Sequence, residues 1–208
     1  MTTSIRALAP FAVAMGGVVA LSNVLVQFPV AAALGGIDLA EILTWGAFTY
    51  PVAFFVTDLA NRRLGPAAAC RVVLVGFALA VVLSVWLATP RIAIASGTAF
   101  LAAQLLDVSI FDRLRRGAWW RAPLASSGLG SILDTMLFFG LAFAPAFAVL
   151  DFGGEDGSLG FAVPLLSVGP EVPLWVSLAL GDLIVKGLVA LALLGPYGAL
   201  RGRDAVAA

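Results

Sequence analysis

AAACRVVLVGFALAVVLSVWLA, residues 67–88, decides the class of this protein. Only Arg71 interrupts an uncharged stretch long enough to cross a bilayer. A hydrocarbon core of roughly 30 Å needs about 20 mainly apolar residues at about 1.5 Å of helical rise each. Five further stretches of this kind flank it, at 7–28, 42–59, 92–111, 123–150 and 174–197. Lipid cannot satisfy free backbone polar groups, and the alternating pattern of a membrane barrel is missing, so these segments read as helices. Composition points the same way. Of 208 residues 62% are apolar and 12% charged, against about 25% charged in soluble domains, and mean hydropathy is +1.06. The expectation is an all-α integral membrane protein, a bundle of six transmembrane helices in one domain over residues 1–208. Pro51 interrupts the short second span, and Pro145 is placed to bend or end the long fifth one.

The arginines set the expected orientation. Arg6, Arg62, Arg63, Arg113, Arg115, Arg116, Arg121, Arg201 and Arg203 fall on one face, with Arg71 just inside the third span. The opposite face carries Arg91 beside Asp38, Glu41, Asp151, Glu155, Asp156 and Glu171. This asymmetry places both termini in the cytoplasm of a multi-pass inner-membrane protein. Trp119 and Trp120 sit beside the arginines as interfacial anchors, and 152–172 reads as the longest extracytoplasmic loop. The first span, with Asn23 and Gln27 near its far end, is too long for a cleaved signal.

Several chemistries are excluded at once. There is no histidine, so imidazole-based triads, His-ligated haem and most catalytic zinc sites are ruled out. Cys70 is the single cysteine, too few for a disulfide within the chain or a cysteine-bound cluster. Acidic and basic residues number twelve each, which gives no global attraction to nucleic acid. The run Arg113–Arg121 is a topology signal rather than a nucleic-acid patch. No nucleophile–base pair is evident, no cofactor is implied, and an intramembrane aspartyl hydrolase finds no paired acid motif. The chain reads as a non-enzyme.

Function then falls to polar groups inside the spans, where a charge costs at least about 2.5–3.5 kcal/mol and marks a partner or a wet cavity. Asp58, Asp107, Asp134 and Asp182 qualify, as does Lys186, the sole lysine. Asp182 and Lys186 are four apart and share a helix face. Asp134 lies at a similar depth on the fifth span, so these three are expected to form one ionic cluster. Ser127, Ser131 and Thr135 follow at four-residue steps, and Gly128 and Gly130 would admit a neighbouring helix. A second group is Asn23 and Gln27 on the first helix, Trp45 on the second, and Gln104 and Asp107 on the fourth. Amides and carboxylates read the hydrogen-bonding edge of a heterocycle, and Trp45, Phe48 or Tyr50 could supply a stacking face. Asp58 is explained locally by an ion pair with Arg62.

An ordered set of motifs spans nearly the whole chain: SNVLVQFPV at 22–30, TWGAFTYP at 44–51, TDL at 57–59, RIAIAS at 91–96, QLLDV at 104–108, WWRAP at 119–123, DT at 134–135, FF at 138–139, then Asp182 and Lys186. This set resembles the bacterial queuosine-precursor transporters of the vitamin-uptake transporter group. The usual histidines of that family are missing, and the loop after the fifth helix looks individual. The resemblance implies a six-helix inner-membrane importer of 7-cyano- and 7-aminomethyl-7-deazaguanine for tRNA queuosine salvage. It implies ligand contacts at Asn23, Gln27, Trp45, Gln104, Asp107, Asp134, Asp182 and Lys186. The wider fold resembles the substrate-binding subunits of energy-coupling-factor transporters. The alternative function is therefore a binding subunit that needs a separate ATPase module for a purine-like or vitamin substrate. The expected partners are the transported base and the lipid bilayer, with a homodimer left open.

Overall fold

The computed structural model describes residues 4–152 and 154–201; Arg203, counted above among the cytoplasmic arginines, lies outside them. The described chain is mostly helical: α1 (Ile5–Leu25), α2 (Gly46–Thr49), α3 (Val52–Leu64), α4 (Pro66–Leu87), α5 (Pro90–Leu114), α6 (Arg121–Phe143) and α7 (Leu174–Arg201). Five of these, α1, α4, α5, α6 and α7, are long and apolar enough to cross a membrane.

The expected second span is the exception. It is built from the four-residue α2 and the thirteen-residue α3, which Tyr50 and Pro51 join in helical conformation. Pro51 has no N–H to give the preceding turn, so the ladder breaks there. The expected fifth span is also shorter than 123–150. Helix α6 stops at Phe143, Ala144 is extended, and 3-10 turns over Pro145–Asp151 follow. Pro145 ends the helix rather than bending it, because the residue before a proline disfavours the helical region.

Helix α3 sits at the centre, packed against α1, α4, α5, α6 and α7. Its polarity explains the position. Thr57, Asp58 and Asn61 lie on this one short helix, and all three are buried; a helix this polar can be held at membrane depth only inside protein. On one side Ala53, Val56 and Ala60 of α3 join Met15 and Val19 of α1 and Val72 and Val73 of α4 in the main apolar core. Helices α5 and α6 form the most extensive helix pair. Gly130 lets Phe54 of α3 reach α6, where an added Cβ would sit 2.7 Å from its ring, whereas Gly128 has open space around it.

Gly46 opens α2 against the backbone of Val26, 2.9 Å from where a Cβ would stand. Backbone cannot swing aside as a side-chain tip can. Gly46→Ala is therefore expected to lower stability by about 1–3 kcal/mol, the usual cost of overpacking, measured as a fall in the thermal midpoint of the purified protein.

The connections are folded. Between α1 and α2, β1 (Ala33–Leu34) pairs antiparallel with β2 (Ile37–Asp38), and the turn uses Gly35 and Gly36 at φ +59° and +87°, the two positive values that a tight hairpin needs. The Asp38 carboxylate then accepts the Ala40 N–H at 2.9 Å and caps a 3-10 turn. Between α6 and α7, β3 (Ala162–Pro164) pairs with β4 (Glu171–Pro173). The expected loop at 152–172 is thus largely a small hairpin, tied to α7 by the Leu166 N–H donating to Ser177 Oγ at 2.8 Å.

Arg91 fastens this end of the bundle. It is 1% exposed and reaches from the first turn of α5 to the end of α6. Its Nε donates to the Leu141 carbonyl at 2.9 Å and its Nη2 to that of Ala144 at 2.6 Å. Its Nη1 pairs with Asp151 at 2.9 Å and also donates to Ser158. At the other end Arg201 lies over Trp119 and Arg121 over Trp120, so the tryptophans and arginines of the arginine-rich face hold each other.

Candidate functional site

The spacing of Asp182 and Lys186 on α7 and the inward face of α6 meet in one cluster. Lys186 Nζ lies 2.6 Å from Asp134 Oδ2 and 2.5 Å from Asp182 Oδ2. It also donates to Thr135 Oγ1 at 3.1 Å, and that hydroxyl donates onward to Asp182 at 2.8 Å. An ammonium has three N–H donors and no acceptor, so Lys186 is fully committed to α6 and its own helix. Lys186 is 4% exposed and Asp134 6%. The cluster joins two carboxylates to one ammonium, and each carboxylate keeps an oxygen that Lys186 does not occupy.

A cavity opens against this cluster. Asp134, Asp182 and Lys186 form its polar wall, Asn23 of α1 adds an amide, and Tyr50, Phe138 and Phe139 add aromatic surface. The Asn23 amide nitrogen donates to the Val19 carbonyl at 2.9 Å, which leaves its oxygen as the acceptor available to a ligand. Phe138 and Phe139 meet edge to face at 5.1 Å between centroids. An adjoining groove shares Phe138, Phe139 and Asp182 with the cavity and adds Gln27 and Glu41.

The eight residues singled out in the sequence therefore part company. Asn23, Asp134, Asp182 and Lys186 line the cavity, and Gln27 stands in the groove beside it. Trp45 is 47% exposed and packs on Phe48 at 5.6 Å, outside the cavity lining. Gln104 and Asp107 are elsewhere too: Gln104 accepts from Thr57 at 2.6 Å, and Asp107 is buried beside Asp58. Asp58 differs from its expected pairing. Its partners are Ser126 at 3.1 Å and Ser127 at 3.3 Å, while Arg62 reaches the Tyr197 hydroxyl at 2.9 Å and the Arg115 carbonyl. The aromatic wall comes from Tyr50 and from Phe138 and Phe139. Their four- and five-residue offsets from Asp134 put them one helical turn from the ionic cluster, a signal that was available in the sequence.

The family model described as a putative vitamin uptake transporter matches residues 44–88 and 84–200. The chain belongs to this family. The matched region holds the ionic cluster, Tyr50 and the aromatic wall, whereas α1, with Asn23 and Gln27, precedes it. Among curated proteins the chain is 37% identical over 147 residues to the queuosine precursor transporter of Escherichia coli, covering 61% of this chain and 64% of that protein. It is 35% identical over 153 residues to a probable queuosine precursor transporter of Haemophilus influenzae, covering 61% and 65%. A third relative, a probable queuosine precursor transporter of Bacillus subtilis, is 28% identical over 156 residues, covering 60% and 68%. The matched stretch thus spans just under two thirds of the first two relatives' own length. No solved structure gives a significant match.

Proposed function

We propose that this protein carries a 7-deazaguanine precursor of queuosine across the bacterial inner membrane. One observation carries the reading: a cavity at membrane depth whose polar wall has two carboxylates for one ammonium, faced by aromatic rings. Such a wall has acceptors in excess. It suits a flat base that presents a ring N–H and an exocyclic amine, with a carboxylate accepting both donors as it would from guanine. The relatives named as queuosine precursor transporters support that choice of base.

The proposed ligand contacts are Asp134, Asp182 and Asn23, with Lys186 holding the two carboxylates in place and Tyr50, Phe138 and Phe139 supplying the stacking face. Helices α2 and α3 together make the sixth crossing, and the arginine asymmetry puts both termini in the cytoplasm. In this reading the groove at Gln27 and Glu41 is the outer entrance to the cavity. The base enters beside α1 and α2 and is released inward when the walls around α3 rearrange.

Asp134→Asn keeps the shape and removes one charged acceptor. Purified wild-type protein is expected to gain thermal stability with 7-cyano- or 7-aminomethyl-7-deazaguanine, since a ligand that binds only the folded state shifts unfolding by mass action. The variant is expected to lose most of that shift. Vesicles holding only this protein should exchange labelled base without ATP. A protein that binds the base yet exchanges none until an ATPase module is added would instead be a binding subunit. Equal stabilisation of Asp134→Asn and wild type would remove Asp134 from the site.

A further inference from the structure

Asp58 and Asp107 form a second acidic site, one that the base-binding cavity does not use. Asp58 on α3 is 1% exposed and Asp107 on α5 is fully buried, and the two carboxyls are neighbours. Asp58 takes the hydroxyls of Ser126 and Ser127 from α6. Both oxygens of Asp107 are buried without a hydrogen-bond partner among the described residues. Two bare carboxylates have only acceptors and repel one another, so neighbouring acids share a proton rather than both ionise. A single proton turns this contact into a hydrogen bond and engages one of the stranded oxygens of Asp107.

The surroundings make that proton exchangeable. Arg62, one turn along α3 from Asp58, reaches Tyr197 of α7 and the Arg115 carbonyl and lies over Phe111. Its charge matches the single negative charge left on the protonated pair. From α5 and α3 the nearby neutral groups are Gln104 with Thr57, and Asn61 bound to the Val108 carbonyl. Helices α1 and α4 meet α3 through Met15, Val19, Val72 and Val73. A narrow crevice reaches Asp58 between Ser127 and Tyr197. Toward the cavity, one face of α6 carries Ser127 at the acid pair, Ser131 with a buried hydroxyl lacking a partner among the described residues, and Thr135 on Asp182 and Lys186. At about 1.5 Å rise per residue these steps cover about 12 Å.

We propose that Asp58 and Asp107 are a proton-binding site, separate from the base cavity, whose loading and unloading powers accumulation of the base. The energetic role rests on the transporter reading above; the binding of a proton does not. Infrared titration of the purified full-length protein should show the carbonyl band of a protonated carboxyl, lost in both Asp58→Asn and Asp107→Asn. In vesicles an inward proton gradient should drive labelled base above equality in wild type. Each variant should keep exchange of base and lose that accumulation entirely. Two variants read one site, so misfolding of one, seen as loss of ligand-induced thermal stabilisation, leaves the other decisive. Persistence of the carboxyl band in both variants, or gradient-driven accumulation that survives them, would overturn the proposal. So would accumulation driven by sodium and indifferent to pH, which would make this an oxygen-lined metal-ion site. A titrating band lost in the variants, in vesicles where even wild type exchanges no base, would uphold the proton site and sink the transport reading instead.

Discussion

Lys186→Met is expected to be among the most damaging single changes in the protein, lowering stability by about 3–5 kcal/mol. The ammonium touches Asp134, Asp182 and Thr135 together. A methionine of similar length fills the space and supplies none of the three donors. Two carboxylates are then left facing each other at membrane depth with no counter-charge, and the loss is the price of that stranded charge rather than the worth of the contacts. A second substitution separates these effects. Adding Asp134→Asn to Lys186→Met removes one of the stranded charges, so the double variant should recover part of the lost thermal midpoint. A double variant worse than Lys186→Met alone would show that packing, not charge, holds the cluster. Neither variant should be stabilised by the base, because both have altered the acceptor pattern of the cavity wall.

Arg91→Met is expected to cost a comparable amount, about 3–5 kcal/mol, for a different reason. The last carbonyls of a helix have no partner within it, and at the end of α6 Arg91 supplies one to Leu141 and to the adjoining Ala144. The same guanidinium neutralises Asp151, whose side chain is 10% exposed, and so fixes the chain that leads into the β3–β4 hairpin. Removing it leaves a carboxylate and two carbonyls without their donor. Arg91→Lys tests the geometry. A lysine carries the charge but not the planar fork, so it should hold Asp151, release the carbonyls, and fall between wild type and Arg91→Met in thermal midpoint. Arg91→Lys equal to wild type would reduce the role of Arg91 to its charge.

Much of this was legible in the chain alone. Mean apolarity is a local property, so the spans at 67–88, 92–111 and 174–197 correspond closely to α4, α5 and α7. The cluster of Asp134, Asp182 and Lys186 was legible because lipid makes isolated charges so costly that their partners can be sought by depth and helical spacing. Proline chemistry marked both places, Pro51 and Pro145, where the expected spans depart from unbroken helix.

Tertiary structure alone decided which faces turn inward. Helices such as α1 and α4 are apolar nearly all round, with little asymmetry to show which side meets protein and which meets lipid. The rotation of each helix about its axis is therefore set by packing. That rotation brings Tyr50, Phe138 and Phe139 to the cavity and leaves Trp45 outside it. It also turns Asp58 from its sequence neighbour Arg62 toward Asp107 and the serines of α6. Sequence determined which residues cannot face lipid, because burying a charge is costly wherever it sits. Only the assembled bundle determined which of them meet, because contacts between helices far apart in the chain depend on shape as well as polarity.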